Sequence, residues 1–330
     1  MLKMHSFFRL LAFVLLVVQL FSCSRKKWDT DPQSLILPQT EYGIISGILV
    51  DNQGILHLVG GDRLERNDFL ESADNGVSWA LQHFDQVQYS NKAAFCLTEN
   101  KNKLYAGSFD GKIFWKNANS SSTWNLKETD SWWYSFTGLT FVPNGIGFAA
   151  GNWGYNKGLI LKLDTDLKTI KTDSFPFAIN DISFLNDSLG YAVGYGVVLK
   201  TMDAGLHWNQ LNLSDDNYRS IYINNQNDIW TVGFNGTIAQ ITDNGEKSRK
   251  IKNGQSPFSS SNRFLDIAFK GQEGYIVGEK GTVLHSSDGG ENWSMMKKFT
   301  KEDLYVVAFN PNGNWVYFGG NNNAAFKYTP

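Results

Sequence analysis

Apolar and polar residues alternate along most of this chain in short stretches such as Asp181-Ile182-Ser183-Phe184 and Asp266-Ile267-Ala268-Phe269. A period of two marks strands buried on one side. After a turn rich in Asn, Asp and Gly, each stretch leads to a second apolar strand that ends in glycine. These glycines are Gly60, Gly107, Gly151, Gly194, Gly233, Gly278 and Gly319, spaced 47, 44, 43, 39, 45 and 41 residues apart. A repeat of this length marks a solenoid or a propeller, because one unit cannot bury its own faces and must stack on its neighbours. A tight turn and a third strand follow, as in Phe234-Asn235-Gly236-Thr237-Ile238 and Lys280-Gly281-Thr282-Val283-Leu284. The Asn-Gly and Lys-Gly pairs supply the positive φ that hairpin turns need.

Three copies then carry S/T-x-D-x-G-x-x-W, the Asp-box: Ser72, Asp74, Gly76 and Trp79; Thr201, Asp203, Gly205 and Trp208; Ser286, Asp288, Gly290 and Trp293. The carboxylate and hydroxyl accept backbone N–H groups across the turn, Gly takes the left-handed conformation, and Trp wedges between neighbouring sheets. Two eroded copies remain. One keeps Asp243 and Gly245 but has Ser248 in place of Trp, and the other keeps Trp124 without the Asp. A calcium reading of these loops fails, since none ends in the bidentate Glu that an EF-hand needs.

The expected fold is therefore all-β: a seven-bladed β-propeller with Asp-box turns. Its last copy stops after Tyr328, and the ring is closed by an N-terminal strand drawn from the stretch between Trp28 and Leu35-Ile36-Leu37. Closure of this kind hides sheet edges. Eleven Trp, thirteen Tyr, twenty-three Phe and 31 Gly agree with many short strands and turns.

Ahead of the repeats, Lys3 and Arg9 precede an apolar run, Leu10 to Leu20, that is too short to span a bilayer and reads as a signal peptide. Leu20-Phe21-Ser22-Cys23 resembles a lipobox, which implies cleavage before a diacylglycerol-modified Cys23. The expected organisation is a lipoprotein signal peptide over 1–22, a lipidated cysteine, linker and closing strand over 23–37, and the propeller over 38–330. The expected address is the cell envelope, lipid-anchored in the outer membrane and facing the periplasm. Only Cys96 then remains, so no internal disulfide forms. The processed chain has 28 basic and 32 acidic residues, giving no overall basic field for nucleic acid.

The Gly-ended strands, hairpin turns and Asp-boxes together resemble the photosystem II stability and assembly factor-like propellers of the BNR/Asp-box class, over roughly residues 40–330. The resemblance implies a protein that assists assembly of membrane complexes without catalysing a reaction. Similar lipoproteins occur in bacteria without photosystems.

Asp-boxes also occur in sialidases, so a glycan-binding or sialidase-like hydrolase is the alternative. That chemistry needs three arginines on the substrate carboxylate and a Tyr paired with Glu. Arg63 and Arg66 share one loop here, and no Phe/Tyr-Arg-Ile-Pro segment opens the repeats. Gly107–Lys112 is one residue short of a phosphate loop and sits in a hairpin. The histidines lack zinc-site spacing. No catalytic residue, metal or cofactor is assigned. The expected binding face is the loop set at one mouth of the channel, carrying Trp132, Trp133, Trp153, Tyr155, Tyr195, Arg219, Phe234 and Arg263. Aromatics beside arginines dominate protein interfaces, and they also stack on sugars. The expected partner is a protein or peptide, with a glycan as the second choice. The chain is expected to be a monomer that meets the membrane only through its lipid.

Overall fold

A computed structural model describes residues 31–38, 43–62, 66–83, 92–118, 122–213, 216–225, 227–245, 247–252 and 263–330. The signal peptide, Cys23 and Trp28 lie outside the described residues, as does Arg63. Seven four-stranded antiparallel sheets form the blades of a propeller. Their innermost strands are Ile44–Val50, Ala94–Asn100, Ser135–Phe141, Ile179–Phe184, Tyr218–Asn225, Phe264–Lys270 and Leu304–Phe309, which define blades 1 to 7. The glycine-ended strand is second in every blade, for example Gly190–Gly194 in blade 4 and Glu273–Gly278 in blade 6.

The core lies between blades. One cluster joins Tyr191, Val193 and Val198 of blade 4 to Tyr218, Ile229 and Ile241 of blade 5. Others join blades 1 and 2, 2 and 3, 3 and 4, 5 and 6, and 7 and 1. Tyr275 of blade 6 meets Phe309, Phe318 and Tyr328 of blade 7. Each buried aromatic of this kind contributes about 1.5–3 kcal/mol by leaving water, and that gain exists only when the neighbouring blade is in place.

The Asp-boxes are built from local bonds. Ser72 donates to Asp74 Oδ1 at 2.7 Å, while Asp74 accepts the N–H groups of Val77 and Ser78 at 3.1 and 2.8 Å. Thr201 with Asp203, and Ser286 with Asp288, repeat the pattern at 2.8 Å. The hydroxyl in turn accepts the N–H of Gly76, Gly205 or Gly290. These glycines have φ of +92°, +74° and +93°, and they also press against the preceding blade. A Cβ would lie 2.8 Å from Leu35 at Gly76, 2.8 Å from Phe148 at Gly205 and 2.5 Å from Trp230 at Gly290. Trp79, Trp208 and Trp293 pack into the 7/1, 3/4 and 5/6 clusters, so each bridges its own blade to the one before.

Closure is made by the N-terminal segment. Gln33–Ser34 completes blade 7 by pairing with Ala325–Tyr328, in the register Gln33 to Lys327 and Ser34 to Phe326. The Leu35 N–H adds a bond to the Ala325 carbonyl at 2.8 Å. Pairing therefore falls just before the Leu35-Ile36-Leu37 stretch. Leu35 and Leu37 pack on the 7/1 core, while Ile36 is exposed.

Candidate functional site at the channel mouth

Every innermost strand has a bulge at the same place. There the ladder to the second strand skips one residue in each blade: Ser46, Phe95, Thr137, Asn180, Arg219, Leu265 and Tyr305; blade 5 has a second shift between Ile223 and Asn225. A bulge leaves that residue unpaired and re-aims its side chain. All seven line one cavity of about 1110 Å³ on the propeller axis. The wall of this channel is thus a ring of bulge residues, one from each blade, and Arg219 is a member of it.

In blades 4, 5 and 6 the residue after the bulge binds the next blade. In blade 4 it is Asp181, whose oxygens accept the N–H of Ile182 at 2.8 Å and that of Ile221 in blade 5 at 2.9 Å. Ser220 of blade 5 donates to Asp266 of blade 6 at 2.6 Å, and Asp266 accepts the Val307 N–H of blade 7 at 2.8 Å. In blade 1 the bulge residue itself, Ser46, donates to the Ala94 carbonyl of blade 2. The Asp181 and Asp266 carboxylates thus satisfy backbone N–H groups of Ile221 and Val307 in other blades. Burial pushes the Asp181 carboxyl up to about 7, with the Asp266 charge adding to it, and burial pushes Asp266 to about 6. Asp181, Ser220 and Asp266 also border a second cavity of about 640 Å³, so they form a waist between two chambers.

At the mouth, the Arg219 and Arg263 guanidiniums both stand over the Phe234 ring, 5.1 and 4.7 Å from its centroid. Arg219 donates to Asn180 Oδ1 at 3.1 Å, and Arg263 to Glu279 at 3.2 Å. The facing wall is aromatic. Trp133 and Trp153 stack with centroids 5.2 Å apart and 15° between planes, and Trp132 stacks on Trp133 at 3.8 Å. Lys157 covers Trp153 at 4.1 Å, and Tyr155 leans on Tyr195 at 5.5 Å. The five rings are 45–62% exposed, so they do not plug the channel.

Of the eight residues expected on this face, Trp133, Trp153, Tyr155, Arg219, Phe234 and Arg263 line the cavity. Trp132 and Tyr195 sit beside it, against Trp133 and Tyr155. Tyr218 and Phe264, the chain neighbours of Arg219 and Arg263, are core residues with no more than 1% exposure. The bulge residues Ser46, Phe95, Thr137, Asn180 and Leu265, the Asp181–Ser220–Asp266 waist and the acidic rim of Asp62, Glu279 and Asp303 escaped the sequence reading. One signal was present: an Asp at the inward phase of an otherwise apolar strand in both Asp181-Ile182 and Asp266-Ile267.

Arg219 and Arg263 converge, but among the described residues no third arginine joins them. Arg66 pairs with Asp68 in blade 1, and Arg249 bonds Gln240 and Glu291 on the outside of blades 5 and 6. The described histidine side chains lie elsewhere: His57 and His285 are buried inside blades, and His207 bonds Asp203 of an Asp-box. Among the described residues no three metal-ligating side chains gather.

The family described as photosynthesis system II assembly factor YCF48 matches residues 215–312, the segment that carries Arg219, Phe234 and Arg263. Over that segment the chain is similar to the photosystem II assembly factor-like propellers. Photosystem II assembly lipoprotein Ycf48 of Synechococcus sp. (strain CC9902) is 28% identical over 122 residues, which is 37% of this chain and 24% of that relative. The match thus spans about a quarter of the curated relative's length. The solved YCF48 from Cyanidioschyzon merolae superposes with a TM-score of 0.68 at 15% identity, covering 91% of this chain and 99% of that one. YCF48 bound to D1 peptide gives 0.65 at 16% identity, covering 92% and 99%. Virginiamycin B lyase from Staphylococcus aureus gives 0.73 at 14% identity, covering 91% and 99%. At such identities, likeness to an assembly factor and to a lyase alike shows the shared propeller.

Proposed function

We propose that this propeller is a non-catalytic, lipid-anchored protein of the cell envelope, and that it holds a protein or peptide partner at the channel mouth during assembly of a larger complex. The observation that carries this reading is the pairing of two guanidiniums on Phe234 with a half-exposed Trp133–Trp153 stack across a wide, open cavity. Half-exposed Trp, Tyr and Arg on a rigid rim are the residue types that anchor protein interfaces. The assembly-lipoprotein relative and the peptide-bound structural neighbour support the same reading. Cys23 as the lipid site and the outer membrane as the location extend it. A glycan would use the same rings by stacking, but the rings already stack on one another, which favours a peptide laid along their edges and the arginines.

The test is capture of crosslinked partners from intact cells with wild type and with a Trp153→Ala/Arg219→Ala variant. Loss of two anchors of about 1–2 kcal/mol each should lower recovery tenfold or more. Undiminished recovery would refute this face.

A further inference from the structure

The outermost strands differ in length from blade to blade. Most are short: Ala80–His83, Asn125–Glu128, Asn209–Gln210, Ser294–Met295 and the closing Gln33–Ser34. Blade 5 ends in Lys247–Lys252, where four of six residues are basic, so a second copy of that strand would be repelled. Blade 3 ends in Thr169–Phe175, seven residues with one Lys and one Asp, no Pro and no net charge. Among the described residues its sheet neighbour is Gly158–Leu163 on one side only.

Along this strand, Thr169, Lys171, Asp173 and Phe175 are half-buried, and Ile170, Thr172 and Ser174 are exposed, Ile170 at 51%. Lys171 bonds the Asp173 carboxylate and reaches the Gly205 and Leu206 carbonyls of blade 4 at 3.1 and 2.9 Å. The charged face is thereby held rigid beside the free edge, with Leu206 and Met202 exposed next to it. The pairing with Gly158–Leu163 is regular from Lys171 to Phe175 and shifts register only at the Ile170 end.

The sequence alone argued for a monomer. From this edge we infer that the chain pairs with a second copy of itself through Thr169–Phe175, antiparallel about a two-fold axis at Thr172, joining two blades into one eight-stranded sheet. The register follows from charge. Centred on Thr172, Lys171 of each copy faces Asp173 of the other, Ile170 faces Ser174, and Thr172 faces itself. Centred one residue to either side, the strand sets Lys171 against Lys171 or Asp173 against Asp173. Opposite charges directly across a strand pair stabilise it and like charges destabilise it, and a two-fold axis counts each such pair twice. A peptide of another protein added to the same edge has no such register to satisfy.

Sedimentation of the full chain in detergent tests this. Wild type should pass from monomer to dimer as concentration rises. Lys171→Asp and Asp173→Lys should each raise the dissociation constant at least tenfold, since each turns two attractive pairs into repulsive ones. The double exchange Lys171→Asp/Asp173→Lys should restore it, with unfolding midpoints confirming that all variants fold. Thr172→Cys should crosslink to a covalent dimer under mild oxidation, and Ser174→Cys should not. A chain that stays monomeric to its solubility limit, a dimer indifferent to both single reversals, a double exchange that fails to rescue, or equal crosslinking at 172 and 174 would each overturn the inference. Binding at the channel mouth is read separately, by the Trp153 and Arg219 variant.

Discussion

Replacing Gly290 by Ala should destabilise the propeller by about 2–5 kcal/mol, through two effects that a second glycine separates. Gly290 has φ of +93°, and a Cβ placed there would lie 2.5 and 2.6 Å from the Trp230 ring and 3.1 Å from Phe269. A left-handed conformation costs an L-residue about 1–2 kcal/mol. Forcing a methyl into a packed core adds about 1–3 kcal/mol, because neither side has room to move. Trp230 is fully buried and wedged edge-on against Trp293, so it cannot swing away. Gly271, in the same blade, has φ of +62° and nothing within 4 Å of its Cβ position. Gly271→Ala should therefore show the conformational cost alone, about 1–2 kcal/mol. Urea unfolding followed by tryptophan fluorescence measures both, with the midpoint shift at unchanged slope giving the stability change. Equal losses at Gly271 and Gly290 would refute the argument that the Asp-box glycine is needed for close approach between blades as well as for its φ.

Other consequences concern buried charge. Lys116 of blade 2 is fully buried against Glu71 of blade 1, which also lies 3.4 Å from His57, itself 3.0 Å from Asp51. Lys116→Met should cost about 3 kcal/mol or more by leaving part of this network uncompensated, read as a fall in unfolding midpoint. Burial opposes the His57 charge, but the bonds to Asp51 and Glu71 outweigh it and raise its pKa. Its contribution is complete below its ordinary value of 6.5 and is lost as pH climbs through the higher folded value. For Asp51 and Glu71 burial is likewise outweighed and the pKa falls, so their contribution holds above the ordinary values of 3.8 and 4.5 and is lost as pH drops further. At the waist the sign is opposite. Asp181 and Asp266 take up protons on folding, so their cost is absent below about 4, grows as pH rises from there, and levels off above about 7 and about 6 respectively. Melting temperature across this range should decline with rising pH, and a flat profile between pH 5 and pH 8 in wild type would contradict the assignment.

The blade count was legible because it is written locally. A glycine closing the second strand, a turn residue with positive φ and an Asp-box hydroxyl each act within a few residues. The seam was legible as a need, since blade 7 lacked a strand, but its register was not, because two paired residues carry too little pattern. The channel wall was least legible. Ser46, Phe95, Thr137, Asn180, Arg219, Leu265 and Tyr305 share no chemistry. What they share is omission from a ladder, which is a property of two strands read together. The same limit separates Trp133 from Trp132, and Tyr155 from Tyr195: loop membership was visible in the chain, and position relative to the axis was not.

The seam has a mechanical corollary. Gln33–Ser34 meets Ala325–Tyr328 through two residue pairs and one further bond, whereas the ladders between innermost and second strands each run through five or more pairs. Load applied at the amino end enters the wheel at one of its shortest ladders, so the opening force is set at that zip and not in any blade interior. A rupture there frees both chain ends of one blade at once and leaves six intact sheets behind it.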